Sequence, residues 1–416
     1  MLWPAEDGRR GLAGQAGIYW VRFGAFSWAR IEPARTEPPT YHWETVDEES
    51  LLKAASDGMQ VIAIIRFAPV WAQQVQGKPC GPIRADTLDA YSQFLYALVE
   101  RYSALPFSVQ YWELGNEPDV APSLVASNSV FGCWGDANDP YYGGGYYAEM
   151  LKRAYPAIKA ADAGAQVVLG GLLLDCDPTH PPEGKDCFPA RFLEGVLRSG
   201  GGSSFDIVSF HGYATYSSGT PNSDLLHPSW GPRGGVVLGK ANFLREVLSS
   251  YGLDKPLLHT EGALLCPVSY KASCNPPSAA FYEVQADYVV WLYVRNWAEG
   301  LLGTVWYTMD GPGWHESGLL DGGQQPKPAY RALQFLSQEL SGAVYRRPAP
   351  GLSGLVGYEF ETPTRRIWVV WSPDQTPRMA TLPAGTVRVL DKYGQELASG
   401  VESISVSSPV YLELAP

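Results

Sequence analysis

Two short stretches carry residues with the types and surroundings that acid–base and nucleophilic chemistry need. Tyr111-Trp112-Glu113-Leu114-Gly115-Asn116-Glu117-Pro118 and Leu257-Leu258-His259-Thr260-Glu261-Gly262 each place a carboxylate just past an apolar run that reads as a buried strand. Two carboxylates offered from strand ends are what cleavage of a glycosidic bond requires. One is held protonated to donate to the leaving oxygen, and the other stays ionised and faces the anomeric carbon. The alternative for either is an exposed loop acid, but a Glu beside Pro118 and a Glu ending an apolar strand are poorly placed for solvation.

The elements that position these residues follow from the patterning. Short β-branched runs alternate with longer amphipathic stretches, the pattern of βα units around a parallel barrel. Strands are expected near 17–23, 60–66, 108–114, 166–172, 205–211, 256–261 and 301–307, with helices near 47–57, 86–102, 146–161, 189–199, 238–251, 279–298 and 328–341. Asp47-Glu48-Glu49 supplies acids suited to a helix N-terminus. Beyond residue 342 the texture changes to alternating runs such as Arg366–Trp371, Val387–Leu390 and Val410–Leu414 between turns rich in Pro, Gly, Asp and Ser. The expected division is therefore a barrel over 1–341 and a small antiparallel, sandwich-like β-domain over 342–416.

Bulk properties narrow the class. The 416 residues suffice for a barrel-sized domain and a small companion, and 31 Lys+Arg against 43 Asp+Glu give −12, which argues against a nucleic-acid partner. Aromatics reach 12%, with 14 Trp and 24 Tyr, which suits stacking on sugar faces, although many must simply fill cores and loops. No membrane-length apolar run is present. All six cysteines, Cys80, Cys133, Cys176, Cys187, Cys266 and Cys274, fall in expected loops without Cys-x-x-Cys or metal-spaced His. Their even number points to disulfides and an oxidising compartment, with a leader not present in this chain. Proximity favours Cys176 with Cys187 and Cys266 with Cys274, leaving Cys80 with Cys133. Six His without a His-x-His or His-Glu-x-x-His pattern do not support a catalytic metal, and no cofactor is expected.

The order of several segments resembles the clan A glycoside hydrolases, most of all family 39 and related bacterial retaining β-glycosidases. The segments are Trp20-Val21-Arg22, Trp28–Pro33, Tyr41-His42-Trp43, Asp47, Val61–Ile65, Pro69–Ala72, Glu113–Pro118, Phe205–Tyr213, Glu261, Trp306 and Lys327–Tyr330. Together they span nearly the whole chain. The resemblance implies a (β/α)8 barrel with its active site at the C-terminal strand ends. Only seven strands are counted, and the strand ending in Arg22 corresponds to the second of the relatives. The first strand is thus expected to be short or missing, with Met1–Pro4 as a stub and a first helix near 5–15.

By the same resemblance, Glu117 is the general acid/base and Glu261 the nucleophile. Asn116 contacts the sugar 2-hydroxyl, with an ordinary turn Asn as the alternative. His211 and Tyr213 lie two apart on one strand and project to the same side. Tyr213 resembles the tyrosine that donates to the nucleophile, and His211 orients its neighbours or touches sugar, with ordinary barrel packing as the alternative. Trp306 resembles the aromatic platform under the sugar, with a core tryptophan as the alternative. Arg22 stands in an apolar strand where an unpaired charge is costly, and pairing with Glu261 or Glu113 resolves that cost. Arg66, Trp71, Trp28 and Trp314 are expected in rim loops lining outer subsites. His259 reads as a satisfied interior residue, and His315-Glu316 as solvated.

The expected activity is retaining hydrolysis of β-linked glycosides or polysaccharides through a covalent glycosyl-enzyme. The rival is a carbohydrate-binding protein derived from a truncated hydrolase barrel. A carbohydrate is the expected partner in both cases, and neither sugar identity nor oligomeric state follows from the sequence.

Overall fold

The computed structural model describes residues 11–126, 129, 131–217, 224–267, 274 and 277–415. The expected stub at Met1–Pro4 and the start of the first helix lie outside them. A parallel sheet runs in chain order through β1 (Trp20–Ser27), β2 (Gln60–Arg66), β3 (Tyr111–Asn116), β4 (Gln166–Leu172), β5 (Ile207–Thr215), β6 (Leu257–Leu265) and β7 (Gly303–Trp306). Helices lie before and between these strands: α1 (Leu12–Gln15), α2 (Trp28–Ile31), α3 (Glu48–Ser56), α4 (Leu88–Ser103), α5 (Gly144–Ala161), α6 (Phe192–Arg198), α7 (Val236–Ser250) and α8 (Ala279–Ala298). The last, α9 (Pro328–Glu339), follows β7. This is the expected barrel architecture with seven parallel strands among the described residues.

The strands form where apolar residues run continuously, as buried parallel strands require. Val61 to Ile65 of β2 are buried without interruption. Asp47 caps α3, its carboxylate accepting from Ser50 N at 3.1 Å, as its place before two further acids predicts. β1 breaks register between Phe23 and Phe26 against β2, and this irregularity contains Gly24. A Cβ there would stand 1.8 Å from the Arg66 guanidinium, so the glycine makes room for that side chain.

An antiparallel set follows: β8 (Val344–Pro348), β9 (Val356–Glu361), β10 (Arg366–Trp371), β11 (Arg378–Thr381), β12 (Thr386–Asp391), β13 (Glu396–Ala398), β14 (Ser403–Val406) and β15 (Val410–Leu414). Six of them form one sheet in the order β13-β12-β15-β10-β9-β8, and β11 pairs with β14. Trp368, Val370, Ala380, Val389, Val406 and Leu412 share a core from both sheets, the sandwich-like packing expected of alternating strands.

The described chain divides into two compact units. One comprises residues 19–212 and 228–261, and carries β1 to β4 with most of β5 and β6. The other draws on residues 1–18, 213–227 and 262–416. Within the latter, buried Asp287 of α8 accepts from Lys392 Nζ at 2.7 Å and Gln375 Nε2 at 2.6 Å, fastening the antiparallel strands to that helix. Cysteines pair as Cys80–Cys133, Cys176–Cys187 and Cys266–Cys274, the expected arrangement. No described helix is long and apolar enough to cross a membrane.

Candidate active site

Within the unit of residues 19–212 and 228–261, strands β1, β5 and β6 and the end of β3 bring Arg22, His211, Glu261, Asn116 and Glu117 together; Glu261, expected to end its strand, lies within β6, which runs on to Leu265. Arg22 is the hub. Its Nε donates to Glu113 Oε2 at 2.5 Å, one terminal nitrogen donates to Glu261 Oε1, and the other donates to Asn116 Oδ1 at 2.6 Å. Sequence left open which glutamate it pairs with; it pairs with both. Burial works against the guanidinium charge, but the Glu113 and Glu261 carboxylates outweigh it and hold the Arg22 pKa above its ordinary value. Glu113 is fully buried and also accepts from the Ser209 hydroxyl at 2.6 Å.

Glu117 sits one residue past β3 in a left-handed conformation, φ 51°, which an L-residue adopts only when its surroundings impose it. Those surroundings are visible. Glu117 N donates to the Gly171 carbonyl at 2.9 Å, Gly132 N donates to the Asn116 carbonyl, and Trp134 N donates to the Pro118 carbonyl at 3.0 Å. The disulfide at Cys80–Cys133 anchors the segment that supplies the last two bonds. The turn aims a 4% exposed glutamate at His211, whose Nδ1 lies 2.7 Å from Glu117 Oε1. The same nitrogen is 3.5 Å from Glu261 Oε2. One ligand-capable atom from each of Glu117, His211 and Glu261 falls within 4.8 Å of the others. A cation there would face the positive charge of Arg22, already bound to Glu261.

His211 is completely buried, and the contact of its Nδ1 with Glu117 Oε1 joins β5 to the turn after β3. Gly171 makes this possible, because a Cβ there would lie 2.2 Å from His211 Nε2. His259 is an interior residue as expected, lowered to about 3 first by burial and then by the charges of His211 and Lys240.

Around Asn116 a cleft opens in the same unit, lined by Trp28, Arg66, Phe131, Gly132 and Trp134. The rim aromatics and Arg66 do not all stand in loops as expected. Arg66 ends β2, and Trp71 lies in a short helical turn, its ring edge-on to Trp28 at 5.1 Å. Trp28 belongs to α2 and is 1% exposed, stacked on Phe94 and hydrogen-bonded to Glu32. Its indole fills the gap between α2 and α4, so its contribution to the cleft is an edge of the wall.

Three expected residues fall in the other unit. Tyr213 and Trp314 come together edge-on at 5.6 Å, with Tyr307 6.0 Å from Tyr213. Trp314 is in a helical turn and 52% exposed. Trp306 is buried, its indole N–H donating to the Ser317 carbonyl at 2.7 Å. Glu316, expected to be solvated, instead accepts from Lys327 Nζ and Tyr282 OH, each at 3.1 Å.

Two neighbours of the site were missed in the sequence. Asp119 accepts from Leu173 N at 2.9 Å and Leu174 N at 2.8 Å, and Lys240 donates to the carbonyls of Leu173 at 2.5 Å and His211 at 2.9 Å. For Lys240 a signal existed. Val236, Val237, Phe243 and Leu244 occupy the positions three and four residues to either side on α7, which puts a lysine in the middle of a buried stripe.

No family model matches the sequence, and none of the curated proteins compared does. Solved structures match closely in fold, and they include glycoside hydrolases of families 39 and 30. A family 39 glycoside hydrolase from Bacteroides cellulosilyticus WH2 superposes with a TM-score of 0.70 at 18% identity, over 97% of this chain and 77% of that one. A monomeric β-xylosidase from Caulobacter crescentus gives 0.61 at 16% identity, over 97% and 91%. The catalytic domain of a family 30 xylanase C from Talaromyces cellulolyticus gives 0.62 at 14% identity, over 96% and 88%. The likeness at these identities is one of fold.

Proposed function

We propose that this protein is a retaining glycoside hydrolase acting on β-linked sugars. The observation that carries the reading is the close approach of Glu117 and Glu261, with oxygens inside the 4.8 Å group they form with His211. Such closeness suits double displacement, for which the carboxyl groups stand about 5–5.5 Å apart, better than inversion, which needs roughly 6.5–9.5 Å to admit a water. Glu261 attacks the anomeric carbon while Glu117 gives its proton to the leaving oxygen. Water then attacks the glycosyl-enzyme, Glu117 takes a proton from it, and Glu261 leaves as the carboxylate.

The two glutamates are held differently, as the two roles require. Glu261 is ion-paired with Arg22, and Glu117 lies buried against His211. Because Arg22 occupies Asn116 Oδ1, the Asn116 amide nitrogen is the end turned to a substrate 2-hydroxyl. Arg66, which lines the cleft beside Asn116, would contact sugar there, as would Trp71 from its place against Trp28. Fold neighbours described as xylosidases and xylanases make β-xylosides the first substrates to try. We further propose residues 1–341 as the catalytic domain, 342–416 as its β-domain, and a location outside the cytoplasm, supported by three disulfides.

A panel of aryl β-xylosides, glucosides and galactosides, assayed beside glycan binding, tests this directly. Turnover that disappears in Glu117→Gln and Glu261→Gln is expected. Glycan binding with no turnover of any member would favour the binding-protein rival.

A further inference from the structure

Bonded to the backbone of His211 is a buried cation that the reaction as described does not use. Lys240 is 6% exposed and stands on α7, yet its ammonium reaches the backbone of two neighbouring strand segments. It donates to the Leu173 carbonyl at 2.5 Å, just past β4, and to the His211 carbonyl at 2.9 Å within β5. Asp119, 1% exposed and two residues beyond Glu117, closes the other side by accepting the backbone N–H groups of Leu173 and Leu174. The turn that carries Glu117, the loop after β4 and the strand that carries His211 are therefore tied into one polar assembly. A buried ammonium is costly and persists only where it is bonded and paired.

We propose that Lys240 is a positioning residue for Glu117, fixing the backbone under His211 and setting the electrostatic balance of the acid/base through the Asp119 side of the assembly. The proposal rests on the assignment of Glu117 as acid/base. The charged groups acting on Lys240 are Asp119, Glu117 and Asp175. Nearby His259 is held well below neutrality and contributes no charge. Burial lowers Lys240 to about 8, and the three carboxylates oppose that fall. Coupling of charges is reciprocal, so whatever Glu117 does to the titration of Lys240, Lys240 does equally to Glu117.

Two readouts separate this proposal from the glycosidase assignment. The first is carbon NMR of lysine-labelled protein, with the Lys240 signal identified by its loss in Lys240→Arg. Its midpoint should fall by several tenths of a pH unit or more in both Glu117→Gln and Asp119→Asn. An unchanged midpoint in Glu117→Gln overturns the proposal whether or not any glycoside is hydrolysed. The second is the pH–rate profile on an aryl glycoside. In Lys240→Met, loss of the positive charge should move the alkaline limb up by about one unit and lower kcat about tenfold with KM within twofold, since buried like and unlike charges shift titrations on that scale. Lys240→Arg should restore the limb. A wild-type limb and kcat in Lys240→Met contradict the proposal. If Lys240→Met fails to fold, the NMR comparison and Lys240→Arg still decide it. Coupling without any turnover by the wild type refutes the glycosidase assignment and leaves the charge coupling standing; turnover without coupling refutes this inference alone.

Discussion

At the scale of single residues the site depends on Arg22, because one side chain satisfies three acceptors that would otherwise be buried and competing. Three N–H directions from one planar guanidinium meet Glu113, Glu261 and Asn116, an arrangement a lysine cannot reproduce. Removing it leaves buried Glu113 with the Ser209 hydroxyl as its remaining side-chain hydrogen-bond partner among the described residues. Arg22→Met is expected to lower kcat at least about 100-fold, the scale seen when a preorganised donor is lost, and to cost roughly 3–5 kcal/mol of stability. Arg22→Lys should recover little of either. Steady-state kinetics with urea unfolding checks both, and near-wild-type kcat in Arg22→Met would remove the hub from the account. The residue types at these positions were legible, since a charge in an apolar strand and acids beside apolar runs stand out. The partners were not, because Arg22 and Glu261 are 239 residues apart and nothing in local spacing selects Glu261 over Glu113.

At the scale of elements the barrel strands were legible because buried parallel strands are written as unbroken apolar runs, and their expected limits fall within a few residues of β1 to β7. The antiparallel strands were less so. Arg366–Trp371 and Val410–Leu414 emerge at their expected bounds, while short strands such as β11, β13 and β14 have too few residues for an alternation to show. Trp28 was misplaced because a four-residue helix carries no period, so an aromatic wedged between α2 and α4 looked like a loop residue. Close approach of β4 to β5 has the same character, since it depends on Gly171 having no side chain. Gly171→Ala would place a Cβ 2.2 Å from His211 Nε2. Displacing that ring should cost about 1–3 kcal/mol and reduce kcat more than tenfold, as overpacking of a filled interior does. Denaturant unfolding beside turnover measures both, and an alanine variant with unchanged kcat would mean that His211 need not be held where it is.

At the scale of the whole molecule the site leaves a mark on stability against pH. Burial raises Asp119 to about 6 from an ordinary 3.8, against the backbone hydrogen bonds that favour its ionised form. The folded protein therefore keeps a proton that the unfolded chain has released between about pH 4 and 6. Stability from this group is complete below the lower value and is lost as pH rises through the upper one. The loss is at most about 3 kcal/mol for a shift of this size. Asp119→Asn should abolish that part of the pH dependence, so the difference in unfolding free energy between variant and wild type should change between pH 4 and 7. A difference that stays constant across that range would mean Asp119 titrates normally.

The central claim is the division of labour between Glu117 and Glu261, and the stereochemistry of azide rescue tests it most directly. With a dinitrophenyl β-glycoside, whose leaving group needs no protonation, Glu117→Ala should still form the glycosyl-enzyme and stall there for want of a base. Azide should then release a β-glycosyl azide, with configuration retained. Glu261→Ala has no nucleophile, and azide attacking the substrate directly should give the α-glycosyl azide. The account predicts that pair of products. The opposite pair would exchange the two roles, and undiminished turnover in both variants would contradict the assignment of this site altogether.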